Sequence, residues 1–142
     1  MNKPIRAIQP YLFFNGRCDE ALEFYHNALN AEVLMRMPYG DSPEPAAMRG
    51  FESKVMHASF RIGETVLCAS DGKCEGNPNF QGFGLILTAP TEEEVNNLFQ
   101  ALTDGGKVQM RLAKTFFSPR FGMVTDRFGI LWMLMVSTEA VA

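Results

Sequence analysis

In Val55-Met56-His57-Ala58-Ser59-Phe60-Arg61-Ile62, apolar and polar side chains alternate from Met56 onward. In an extended chain this puts Met56, Ala58, Phe60 and Ile62 on one face and His57, Ser59 and Arg61 on the other. After a turn at Gly63-Glu64, Thr65 to Ser70 reads as the next strand. Upstream the period is different. Ala21, Leu22, Tyr25, Ala28 and Leu29 form one helical stripe with Glu20, Glu23 and Asn27 off it, which predicts a helix over 19–29. Asn30 suits a left-handed cap at its end.

A second stripe, Val95, Leu98, Phe99 and Leu102, predicts a helix over 91–104. Thr91 is its N-cap, Glu94 stands at the capping-box position, and Gly105-Gly106 stops it. Further strands are expected at 8–14, 32–37, 83–88, 108–112, 121–125 and 130–136. The last is apolar at every position, so both of its faces are expected to be covered. The order β-α-β-β-β therefore occurs twice, at about residues 5–72 and 79–136, across a Gly- and Pro-containing linker. The halves share a pattern rather than residues. The expected fold class is α+β, two βαβββ modules within a single domain.

A chain of 142 residues with 46% hydrophobic side chains can bury a core without staples. Net charge is −3, and Lys and Arg are scattered singly, which argues against nucleic-acid or anionic-membrane binding. Met1-Asn2-Lys3-Pro4 does not open a signal segment, and no apolar run is long enough to span a membrane. Cys18, Cys68 and Cys74 are odd in number and lack metal-ligand spacing. A cytoplasmic protein with reduced thiols is the expectation. Residues 38–53 read as an irregular excursion, long enough to be functional or mobile.

Several stretches carry a resemblance. They are Pro10-Tyr11-Leu12-Phe13-Phe14-Asn15-Gly16 with Cys18, Glu20-Ala21 and Phe24-Tyr25; His57-Ala58; Ala69-Ser70-Asp71; Gly106 to Met110; Thr115-Phe116; and Phe121 to Gly129 with Trp132-Met133. Together they resemble the PhnB-like branch of the vicinal oxygen chelate superfamily, which includes glyoxalase I, extradiol dioxygenases and the bleomycin- and fosfomycin-resistance proteins. The resemblance implies a curved mixed sheet around a cavity with helices outside. It implies that His57, Ser59 and Arg61 face that cavity together with the final hairpin. Gln9, Phe117 and Met133 would be further ligand contacts, and the partners a small molecule and a second copy in a homodimer. The chain departs from the branch at Phe117, where Trp commonly follows Thr-Phe, and at Leu134-Met135, where an Asn is usual.

Metal-binding members take His, Gln or Glu ligands from first and last strands. The matching positions here are Gln9 or Pro10, Gly82 or Phe83, and Met133, and of these only Gln9 could coordinate. No cofactor is expected. No Gly-rich strand-to-helix turn with a following acidic residue is present to hold S-adenosylmethionine, so a methyltransferase label attached to PhnB-like domains is discounted. Two functions are consistent with the residues. One is a metal-free module binding a small, partly aromatic or anionic molecule. The other is a metal-dependent lyase, isomerase or dioxygenase with an unconventional site around His57, using Gln9 or Asp126. Met35, Met110, Met123, Met133 and Met135 are expected chiefly in the core, with some lining an adaptable pocket.

Overall fold

The computed structural model describes residues 7–43 and 48–137. The elements are β1 (Tyr11–Phe13), α1 (Cys18–Leu29), β2 (Glu32–Pro38), β3 (Val55–Ile62), β4 (Thr65–Ser70), β5 (Leu85–Ala89), α2 (Glu92–Thr103), β6 (Lys107–Ala113), β7 (Phe121–Thr125) and β8 (Leu131–Val136). The chain divides into two compact units, Met1–Asn77 and Pro78–Ala142, so the break falls inside the Gly/Pro linker. Each unit holds one four-stranded sheet, in the orders β1-β4-β3-β2 and β5-β8-β7-β6. In each, the first strand runs parallel to the last and every other pair is antiparallel. The α+β class and the doubled βαβββ order follow.

In the first unit α1 packs on one face of the sheet. Ala21, Leu22, Phe24, Tyr25 and Leu29 are buried, and so are Ala58, Phe60 and Ile62 from β3. The Tyr25 and Phe60 rings stack nearly parallel with centroids 6.1 Å apart, a contact worth about 0.5–1.5 kcal/mol beyond its area. Asn30 takes the left-handed conformation (φ 57°) that ends the helix. Arg17, at the N-cap, offers no side-chain cap. Asp71, just past β4, does this from a distance. Its buried carboxylate accepts the N–H groups of Gly16, Cys18 and Val55, each at 2.8 Å. One side chain thereby joins the start of α1, the start of β3 and the end of β4.

The second unit repeats the plan with other residues. Thr91 caps α2, its hydroxyl accepting from Glu94 N at 3.1 Å. Val95, Phe99 and Leu102 are buried against the sheet. Gly122 lets the layers approach, since a Cβ there would stand 2.8 Å from Leu112 Cδ2 and 3.0 Å from Phe99. The β7–β8 turn, Asp126 to Gly129, is held by Asp126. Its carboxylate accepts from Phe128 N, Ile130 N and the Trp132 indole N–H at 2.8–3.1 Å.

Several details differ from the sequence expectation. Strand β8 is apolar throughout, yet only Trp132, Leu134 and Val136 are buried, while Leu131, Met133 and Met135 are half-exposed. One face packs on α2, and the helix reaches no further. Strand β1 is shorter than 8–14, and β5 begins at Leu85, after the Gly82-Phe83-Gly84 stretch. Within the excursion at 38–53 a 3₁₀ turn forms at Tyr39–Asp41; 44–47 lie outside the described residues, as do the first residues of the expected 5–72 module.

Asp71→Ala leaves three buried N–H groups without their acceptor. The expected loss is about 3–5 kcal/mol in denaturant unfolding, since hydrogen bonds to a charged acceptor contribute about 1.5–3 kcal/mol each and do not add fully. A loss under about 1 kcal/mol would show that Asp71 is not the tie described.

Candidate functional site

The face of the first sheet opposite α1 is open. Cross-strand pairing lays Tyr11, Cys68, Ser59 and Met35 in one row across β1, β4, β3 and β2. Beside it Phe13 pairs with Ser70, and His57 with Met37. Tyr11 and Phe13 are 43% and 51% exposed although Leu12 and Phe14 between and beyond them are buried. The period of two thus turns two aromatic rings of β1 toward this face. The Tyr11 hydroxyl lies 2.9 Å from His57 Nδ1. Tyr11 makes ring contacts with Phe13 (5.0 Å) and His57 (5.5 Å).

Partial burial raises the pKa of the Tyr11 hydroxyl, opposed by a hydrogen bond with Ser70, so it remains a protonated donor at neutral pH. Phe13 lies against Gly72, where a Cβ would be 3.2 Å from the Phe13 ring. The Tyr39 hydroxyl donates to the Gly72 carbonyl. Glycine is required there twice over, by that approach and by φ +57°.

His57, Ser59 and Arg61 do share this face. Arg61, however, pairs with Glu32 across the β2–β3 ladder at 2.7 Å, and both are solvent-exposed. At that exposure the pair contributes about 0–1 kcal/mol, so Arg61 is a screened charge rather than a buried anion clamp. Gln9 is exposed and donates its amide to the Val66 carbonyl at 3.2 Å. Tyr11 and Phe13 were missed as site residues in the sequence. Their signal was the same alternation that picked out His57, obscured because all four residues from Tyr11 to Phe14 are apolar or aromatic.

Phe117 and Met133 belong to the second unit. Phe117 is exposed and meets Phe121 edge-on with centroids 5.0 Å apart. Met133 lies in a row with Ile86, Met123 and Met110, the direct counterpart of the Tyr11 row. Contrary to the core placement expected for most of them, Met35, Met110, Met123, Met133 and Met135 are all half-exposed or exposed. The same strand plan therefore carries a polar and aromatic face in one unit and a thioether face in the other.

Cys18, Cys68 and Cys74 are free thiols. Burial first, and the Asp71 carboxylate second, push the Cys18 thiol far above its ordinary range. It is a core residue, not a nucleophile. Asp126 is committed to the hairpin through its three donors and is not poised as a base or metal ligand.

Two identically wired βαβββ units define the fold of the glyoxalase and fosfomycin-resistance proteins. The fosfomycin resistance protein FosX from Listeria monocytogenes superposes with a TM-score of 0.64 at 15% identity, over 95% of this chain and 94% of that one. Within that class the chain belongs to the PhnB-like family, whose model, described as 3-demethylubiquinone-9 3-methyltransferase, matches residues 6–135. Protein PA1353 from Pseudomonas aeruginosa is 40% identical, with a TM-score of 0.82 over 94% of this chain and 98% of that one. A Bacillus cereus protein described as a putative 3-demethylubiquinone-9 3-methyltransferase, PhnB protein, is 28% identical with a TM-score of 0.78, over 93% and 100%. Protein YjdN of Escherichia coli is 33% identical over 138 residues, 91% of this chain and 94% of its own length.

Neither group implied by these relationships fits the residues present. Gln9 could offer only its single amide oxygen, its NH2 group donating to the Val66 carbonyl, and Phe83 and Met133 supply no hard donor for the metal. Among the described residues no three His, Cys, Asp or Glu side chains stand close enough to hold one. For S-adenosylmethionine, neither the turn from β1 into α1, Asn15-Gly16-Arg17, nor that from β5 into α2, Pro90-Thr91, is a Gly-rich strand-to-helix turn of the kind that holds this cofactor, and Asp71 and Thr91 already occupy N–H groups there. Among the described residues no helix is long and apolar enough to cross a membrane.

Elemental analysis of protein purified without chelator is expected to find zinc, iron and manganese well below stoichiometric. One equivalent of any of them, lost on replacing His57, would establish the unconventional metal site instead.

Proposed function

We propose that this protein binds a small, partly aromatic organic molecule on the open sheet face of its first unit, without a transition metal. One observation carries it: the Tyr11–His57 hydrogen bond sits on an exposed sheet face beside the exposed ring of Phe13. Rings give a planar ligand large apolar contact at little entropic cost, and the hydroxyl–imidazole pair supplies direction. Met35 and Met37 from the edge strand add adaptable apolar walls. The pairing of Arg61 with Glu32 shifts the weight from a strongly anionic ligand toward a ring with one polar substituent.

The family's description names methyl transfer to a quinone precursor. A ring-shaped substrate suits this face, whereas the methyl-donor half of that description would need a Gly-rich strand-to-helix turn, which neither helix start supplies. Binding is therefore the function supported here.

A thermal-shift panel of small phenols, aromatic acids and cyclic ketones is the direct test, because a ligand selective for the native state raises its stability by mass action. With any hit, His57→Ala and Phe13→Ala should each weaken binding several-fold. The unliganded stability should change by no more than about 1 kcal/mol, since both side chains leave the core intact. Unchanged affinity in both variants would reduce these residues to an ordinary solvated sheet face.

We also propose that the chain pairs as a homodimer. Exposed Phe83, Ile86, Met110, Phe116 and Phe117 in the second unit support this, as apolar surface of that kind favours association. Light scattering at micromolar concentration should give twice the chain mass, and a monomer would refute it.

A further inference from the structure

The Tyr11–His57 contact is a hydrogen bond that can run in either direction. With His57 neutral and its proton on Nε2, the Tyr11 hydroxyl donates to Nδ1 across the 2.9 Å gap. With His57 as imidazolium, Nδ1–H donates to the Tyr11 oxygen, and the phenol proton must turn to a third partner. The rings frame where that partner lies. The Tyr11 ring is tilted 30° to Phe13 and 38° to His57, with centroids 5.0 and 5.5 Å away, so aromatic rings flank Tyr11 on this exposed face.

We propose that this pair is a subsite for a planar ring carrying an oxyanion, a phenolate or the enolate of a cyclic diketone, and that binding takes up one proton at His57. This rests on the binding function proposed above and specifies the charge and protonation of its ligand. Before binding, Tyr11 O–H points at Nδ1. On binding, a solvent proton adds to the imidazole, Nδ1–H turns the hydrogen bond around, and Tyr11 O–H points at the ligand oxygen. One N–H bond forms on the imidazole as a buffer acid gives up its proton, and no covalent bond of the ligand or of Tyr11 changes. An anion beside the pair favours the imidazolium. Cys68 pairs with Tyr11 across the ladder, and the other groups that act electrostatically on the Tyr11 hydroxyl are Tyr39 and the core thiol of Cys18; none of them is a base that could take this proton instead. Met37 lies opposite His57 on β2, and the charges of Arg61 and Glu32, further along the β2–β3 ladder, are closed on one another.

Isothermal titration calorimetry with 4-nitrophenol reads the proton count, at a pH where the probe is ionised and in two buffers of different ionisation enthalpy. The expected result is uptake approaching one proton per probe bound, disappearing in His57→Gln. Tyr11→Phe should weaken 4-nitrophenol by about ten-fold, the loss of a hydrogen bond to a charged group. It should leave 4-nitroanisole, which has the ring without the ionisable hydroxyl, almost unaffected. Binding of 4-nitrophenol without proton uptake, or equal weakening of both probes by Tyr11→Phe, overturns the oxyanion subsite and leaves aromatic binding on this face standing. Failure of 4-nitrophenol to bind overturns the subsite, and a silent thermal-shift panel as well would overturn the binding function itself.

Discussion

The first unit depends on one buried carboxylate. Asp71 receives N–H groups from the start of a helix, from the start of a central strand and from the turn between them and β1. Three backbone donors hold it there, which is a favourable way to keep a carboxylate in a core. Its position sets where β4 ends, and β4 lies between β1 and β3. Tyr11 and His57 come from those two outer neighbours, so their 2.9 Å contact is reached across a strand that Asp71 anchors. The same carboxylate raises the Cys18 thiol and closes the helix start to any other anion.

The second unit meets the same need differently. Asp126 ties a hairpin to the indole of Trp132 rather than a helix to two strands. The strand order is preserved, while the open face changes from Tyr11, Cys68, Ser59 and Met35 to Ile86, Met133, Met123 and Met110. A repeated backbone plan therefore does not imply a repeated chemistry. The helix-facing sides must be apolar in both units, and only the open sides are at liberty to diverge.

That divergence bears on function. The resemblance would put metal donors on first and last strands, where this chain has a single amide, an aromatic and a thioether. The open face of the first unit carries instead a phenol, an imidazole and exposed aromatic rings, groups suited to orienting a ligand by hydrogen bonds and ring contact.

The amino-acid sequence alone determined the two βαβββ units, the Thr91 and Asn30 caps and the buried faces of both helices. These follow from periodicity and short-range chemistry, which a linear pattern records faithfully. It also placed His57, Ser59 and Arg61 on one face, because strict alternation admits no other arrangement. Only the tertiary structure decided what those residues meet. Arg61 finds Glu32 from a strand 29 residues earlier, and His57 finds Tyr11 from 46 residues away. Asp71 reaches 55 residues back to Gly16. Strand β8 illustrates the reason most plainly. Its side chains are apolar on both faces, so the sequence predicted cover on both. Which face a helix actually covers is settled by where the chain returns in space, and no local pattern contains that information.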